Sequence, residues 1–163
     1  MNVALGGTFD PVHDGHHALF ERAFSLGEVT VGLTADSLAP KTRHTERYVR
    51  SYDERKADLE AELSPLAERY DRTFEIRPLT EPTGIAVEPE FDALVVSPET
   101  VSGAEQINEL RVENGVDPLE IEVVEHVPAE DGERISSTRI VNGEIDRHGN
   151  LTPERTGRRR QQP

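Results

Sequence analysis

The 163-residue chain contains no cysteine. Disulfides, a thiolate metal site and a cysteine nucleophile are thereby excluded. Tryptophan is absent too, aromatic residues make up 5%, and apolar residues 34%, below the roughly 45–50% of an average globular chain. No apolar run approaches the roughly 18 residues that cross a bilayer, and the start, Met1-Asn2-Val3-Ala4-Leu5-Gly6-Gly7, lacks a basic segment followed by a long apolar one. No membrane association and a cytoplasmic location are the expectations.

Lysine is nearly missing as well: Lys41 and Lys56 stand against 16 arginines, and 32 acidic residues bring the formal charge to −14. Such a field repels polyanions, so nucleic acid is not an expected partner, and any anion must be held by a local site. Low hydrophobicity with high charge borders on the composition of disordered chains. Clear strand and helix patterns oppose that, and point to a folded protein with a carboxylate-rich surface suited to a high-salt cytoplasm, where screening removes self-repulsion.

The length fits one domain, expected over residues 1–151, with a disordered Arg-rich tail over 152–163. Val3-Ala4-Leu5 reads as a buried strand ended by Gly6-Gly7, and Gly15 to Leu26 as a helix closed by Gly27. Val29 to Leu33 is a second strand. Thr45 to Tyr70 is a charged helical stretch, which Ser64-Pro65 would divide into two helices as N-cap and first-turn proline. Thr73 to Arg77, Ala93 to Val96 and Ile121 to Val124 read as further strands, Glu99 to Glu113 as a helix, Ser136 to Asn142 as a short one, and Pro78 to Pro89 as a Pro-rich connection. The alternation predicts an α/β fold, a Rossmann-like open parallel sheet of five strands with helices on both faces.

The chemistry is concentrated in Gly6-Gly7-Thr8-Phe9-Asp10-Pro11-Val12-His13-Asp14-Gly15-His16, where the first strand gives way to the first helix. Ligands of open α/β sheets bind there, and glycines with a helix N-terminus suit a phosphate. His13 and His16, three apart, can face one anion, with Gly15 leaving room for it. His17, pointing elsewhere, reads as structural, and Asp10 as a residue that caps the loop. Zinc is a poor alternative, because the pair lacks a third ligand at convincing spacing.

This segment resembles the (T/H)xGH signature of the nucleotidyltransferase superfamily, and Ile135-Ser136-Ser137-Thr138-Arg139-Ile140 resembles its second signature, about 120 residues later. Within the superfamily the chain is similar, from Val3 to about Asp146, to phosphopantetheine adenylyltransferases of the archaeal and eukaryotic type. Pro78-Leu79 with Pro82 and Gly84, Ser97-Pro98-Glu99-Thr100, and Ile107-Asn108 through Arg111 to Asn114-Gly115 carry the middle of that resemblance.

The resemblance implies adenylyl transfer from ATP to 4'-phosphopantetheine, without a covalent enzyme intermediate, and Mg²⁺ accompanying the ATP. It implies catalytic roles for His16, His13 and Lys41. Gly7, Thr8, Phe9, His13, His16, Ser136, Ser137, Thr138 and Arg139 would bind ATP. Thr8, Lys41, Leu79 and Arg111 would bind phosphopantetheine. The basic RGxxR stretch of the bacterial enzymes is missing after the fourth strand; Arg111 is one substitute, with a surface salt bridge as its other reading. Two alternatives are another nucleotidyltransferase, with nicotinamide mononucleotide, FMN or a phosphoalcohol as acceptor, and a non-catalytic nucleotide-binding module.

Overall fold

A computed structural model describes residues 1–38, 49–81 and 84–152. Lys41, Pro82, the expected helix start at Thr45 and the tail after Thr152 lie outside the described residues.

Five parallel strands, β1 (Asn2–Gly7), β2 (Glu28–Thr34), β3 (Phe74–Leu79), β4 (Ala93–Val96) and β5 (Glu120–Val123), form one sheet in the order β3-β2-β1-β4-β5. Helices α1 (Asp14–Leu26), α2 (Tyr52–Tyr70), α3 (Val101–Glu113) and the short α4 (Ser137–Val141) accompany it, with 3₁₀ turns at Gly84–Val87 and Pro98–Thr100. The alternation of Val3 and Leu5 against Ala4 explains the layering. Val3 and Leu5 pack with Phe20 and Phe24 of α1 and Leu59 and Leu63 of α2, while Ala4 packs on the other face with Ile85, Phe91, Leu94 and Ile107. Helices therefore cover both faces, and among the described residues none is long and apolar enough to cross a membrane.

Three elements differ from the sequence reading. Helix α2 runs unbroken through Pro65, because Leu59, Leu63 and Leu66 on both sides of the proline are buried. Burial of the three leucines, at about 1.5–3 kcal/mol each, together outweighs the roughly 3 kcal/mol that an interior proline costs. Ser64 accordingly is no N-cap; its hydroxyl donates to the Glu60 carbonyl at 2.8 Å. Strand β3 continues through Pro78 to Leu79, which is permitted because β3 is an edge strand whose missing N–H has no ladder partner to disappoint. Thr152, assigned to the disordered tail, is anchored: its N–H donates to Glu144 and its hydroxyl to the Gly143 carbonyl.

Strand order reverses at β1, whose neighbours β2 and β4 lead outward in opposite directions. The crevice at the carboxyl end of such a strand is where open α/β sheets bind ligands, and the Gly-rich loop emerges there. A third apolar cluster, Ala129, Ile135 and Ile145 with Val127, Ile140 and Leu151, builds the C-terminal segment that packs back on this loop.

Candidate functional site

The loop after β1 is shaped by Phe9, which adopts a left-handed conformation at φ 52°. For a bulky side chain this costs about 1–3 kcal/mol and persists only where the surroundings enforce it. Burial of its ring enforces it here: Phe9 is 2% exposed, edge-on to His16 with centroids 4.8 Å apart and beside Phe20 at 5.4 Å. The ring also crosses Gly7, where a Cβ would sit 3.0 Å from Phe9 Cζ. The side chain of Phe9 therefore supports the histidines and is not open to stack on a nucleotide, which leaves its backbone for the expected ATP contact.

His13 is the N-cap of α1. Its Nδ1 accepts from the Gly15 N–H at 3.0 Å, while the His13 N–H donates to Nδ1 of His16 at 3.2 Å. The two rings stack, 3.7 Å between centroids and 19° between planes. Since both Nδ1 atoms accept, each neutral imidazole carries its proton on Nε2. Burial lowers the pKa of His13 to about 4, with Asp14 opposing and Arg134, Arg147 and His17 adding to the effect. Burial likewise holds His16 well below the usual histidine value, reinforced by His13 and His17. The pair thus offers two uncharged Nε2–H donors, fixed by the helix start rather than by solvent. At Gly15 a Cβ would lie 2.9 Å from Cε1 of His13, so the glycine also makes room for the imidazole.

Helix α4 joins this centre directly. Ser137 donates its hydroxyl to the Pro11 carbonyl at 2.8 Å, and Ser136 caps α4 by accepting from the Arg139 N–H at 3.2 Å. The hydroxyl hydrogen of Ser136 is left to donate elsewhere, and Thr138 follows in the same turn. Arg139 itself is occupied: its guanidinium meets Asp131 and Glu144 and donates to the Arg134 carbonyl at 3.0 Å. It braces the segment that carries α4 rather than presenting a free cation. The side chain of His17 pairs with Glu62 at 2.6 Å, and Glu62 in turn with Arg147 at 2.7 Å, while the Arg147 carbonyl accepts from the Asp14 N–H at 3.0 Å.

Two expected phosphopantetheine contacts are placed otherwise. Arg111 is 2% exposed and donates to the carbonyls of Asp117, Ala86, Glu88 and Phe91 at 2.7–3.0 Å. It is a structural tie between α3 and the chain entering β4, neither a phosphate ligand nor a surface salt bridge. Leu79 lies over glycines: a Cβ at Gly32 or Gly84 would come within 2.6 or 2.5 Å of its Cδ2. Only its half-exposed edge is left to a ligand. Thr8 stands at the centre, its hydroxyl 3.4 Å from that of Thr34 at the end of β2.

The sequence reading missed Arg50 and Arg55. Arg50 donates its N–H and Nε to the buried Asp10 carboxylate at 2.8 and 2.7 Å, so Asp10 does hold the loop. Arg55, 0% exposed, donates to the Thr8 carbonyl at 3.2 Å. The signal for it was periodicity: Arg55, Leu59 and Leu63 share one apolar stripe of α2, as Ala104, Ile107 and Arg111 do on α3.

Among the described residues no group of three His, Asp or Glu side chains could hold a metal ion.

Residues 4–143 match the profile of the cytidylyltransferase-like family. A phosphopantetheine adenylyltransferase of Methanosarcina acetivorans is 45% identical over 155 residues, which cover 93% of this chain and 96% of that one. One from Archaeoglobus fulgidus is 41% identical over 153 residues, 93% and 99% of the two chains. Among solved structures, that of a protein with unknown function from Archaeoglobus fulgidus superposes with a TM-score of 0.65 at 36% identity, covering 76% of this chain and 89% of that one.

Proposed function

Because the chain belongs to the cytidylyltransferase-like family and, within it, to the phosphopantetheine adenylyltransferases, we propose that it transfers the adenylyl group of ATP to 4'-phosphopantetheine, yielding 3'-dephospho-coenzyme A and pyrophosphate. The acceptor already carries an anionic phosphate. An oxygen of that phosphate attacks the α-phosphorus in line, the bond to the bridging oxygen breaks, and pyrophosphate leaves with the electron pair. No general base has to create a nucleophile, so the protein's task reduces to alignment and to stabilising charge on the five-coordinate phosphorus and the departing pyrophosphate.

The observation that supports this reading most is the neutral, stacked His13–His16 pair joined to α4 through Ser137 and Pro11. His16 donates from Nε2 to the reacting phosphoryl group and His13 to the neighbouring phosphates. Ser136 and Thr138, with the backbone N–H of Ser137, take the β- and γ-phosphates. Thr8 lies between the two substrates, Gly7 permits close approach of the backbone, and Lys41, which follows β2 in sequence, meets the acceptor phosphate. Mg²⁺ bound with the ATP would neutralise its triphosphate and would be held by the nucleotide, since the described residues group no carboxylates for it.

Pyrophosphate release from ATP, measured with 4'-phosphopantetheine, nicotinamide mononucleotide, FMN and a phosphoalcohol in molar KCl, tests the assignment. Release with phosphopantetheine alone is expected; release only with another acceptor overturns it.

A further inference from the structure

Arg55 is a buried cation for which the mechanism above has no use. It stands in the first turn of α2, with a carbonyl or carboxylate oxygen on each nitrogen of its guanidinium: Nε donates to the Arg50 carbonyl at 2.8 Å, Nη1 to the Thr8 carbonyl at 3.2 Å and Nη2 to Asp36 Oδ1 at 3.0 Å. These partners come from three places, the loop after β1, the residues after β2 and the approach to α2. Asp36 is mostly exposed, at 62%, so the pair gains little from Coulomb attraction, and a leucine or methionine would fill the same volume without desolvating a charge. What the guanidinium adds over an apolar side chain is direction, since its planar fork fixes three oxygens relative to one another.

Those oxygens frame the reacting centre. Thr8 precedes Phe9, the residue held at φ 52°, and Asp10 follows it, clamped by Arg50. Arg55 holds the Thr8 carbonyl directly and, through the Arg50 carbonyl, the residue that holds Asp10. The left-handed turn that places Phe9 beneath His16 is thus restrained on both sides from the start of α2.

We propose that Arg55 is a positioning residue for the transfer reaction, fixing the end of β1 against the end of β2 so that the acceptor phosphate lines up with the α-phosphoryl group over His13 and His16. The proposal rests on the functional reading above, which puts the acceptor on the β2 side and the triphosphate on the side of α1 and α4. It separates two quantities that a merely structural arginine would leave coupled. Losing the fork disturbs alignment with the acceptor, while the histidine pair and α4, held by their own hydrogen bonds, keep ATP.

The test compares wild type with Arg55→Lys, which keeps the charge but not the fork, and with Asp36→Ala, which removes one of the three oxygens and leaves the buried arginine in place. Initial rates with ATP and 4'-phosphopantetheine, calorimetric titration with ATP alone and thermal melts are recorded for each. Misalignment of about an ångström predicts a loss of roughly tenfold to a hundredfold in kcat/KM for the acceptor in Arg55→Lys and about threefold to tenfold in Asp36→Ala, with ATP affinity within about twofold of wild type. Both variants turning over like wild type, whatever their melting temperatures, or losing ATP affinity and acceptor efficiency in parallel, overturns the proposal. If Arg55→Lys fails to fold, Asp36→Ala decides alone. If wild type releases no pyrophosphate with phosphopantetheine, the functional reading has failed, and the comparison is made with the acceptor that does release it.

Discussion

The hydroxyl of Ser137 donates to the carbonyl of Pro11 at 2.8 Å, across 126 residues of chain. Through this bond the two signature segments become one site, with α4 resting on the loop that carries His13 and His16. Replacing Ser137 by alanine removes it, at a cost of about 1 kcal/mol in stability, and loosens α4 against the histidines. Denaturant unfolding and ATP titration of Ser137→Ala are expected to show a small loss of stability together with weaker ATP binding. Unchanged ATP affinity would mean that the contact only joins surfaces.

Both histidines of the pair are held neutral, which makes stability depend on pH. Unfolded histidine takes up its proton near 6.5, whereas His13 in the folded protein does so only at about 4 and His16 is also held well below 6.5. Between these values the unfolded chain binds more protons, so unfolding free energy is full above about pH 6.5 and declines as pH falls toward 4, by roughly 3 kcal/mol from His13 alone. Denaturant unfolding at pH 7, 6 and 5 in constant KCl is expected to show this decline, with a shallower slope in His16→Asn. Equal stability at all three values contradicts the neutral pair.

Arg111 ties four backbone carbonyls together in the interior. Arg111→Met leaves these acceptors buried without donors and is expected to cost about 3 kcal/mol or more, while kcat and the acceptor KM of the folded fraction stay at wild-type values. A raised acceptor KM with undiminished stability would return Arg111 to the binding site.

Much of this was legible in the sequence, for identifiable reasons. Ala93–Val96 is buried at every position, so an uninterrupted apolar run marked β4 without error. His13 and His16 were legible because spacing and loop chemistry coincide. The burial of Arg55 and Arg111 went unread, since charge on a helix ordinarily means solvent; their place on an apolar stripe was visible, but the backbone carbonyls that hold them in the interior are not. The closeness of Gly15 to the His13 ring was not legible either, and Pro65 was misread because its cost is local while the leucine burial that outweighs it is tertiary.

The charge of −14 bears on the conditions of every such measurement. Screening shortens from about 10 Å at 0.1 M salt to about 3 Å at 1 M, relieving repulsion among surface carboxylates, so the melting temperature is expected to rise steadily between 0.1 and 2 M KCl. A flat or falling curve would remove the argument for a high-salt setting.

The central claim is that a neutral His16 donates to the phosphoryl group during adenylyl transfer to phosphopantetheine. It is tested most directly by measuring 3'-dephospho-coenzyme A formed from ATP and 4'-phosphopantetheine by wild type and by His16→Ala, in molar KCl at pH 7.5, with ATP affinity determined alongside. Loss of such a donor predicts a fall of about 10²–10³ in kcat with ATP affinity little changed; product formed equally fast by the variant, or not formed by wild type, contradicts the account.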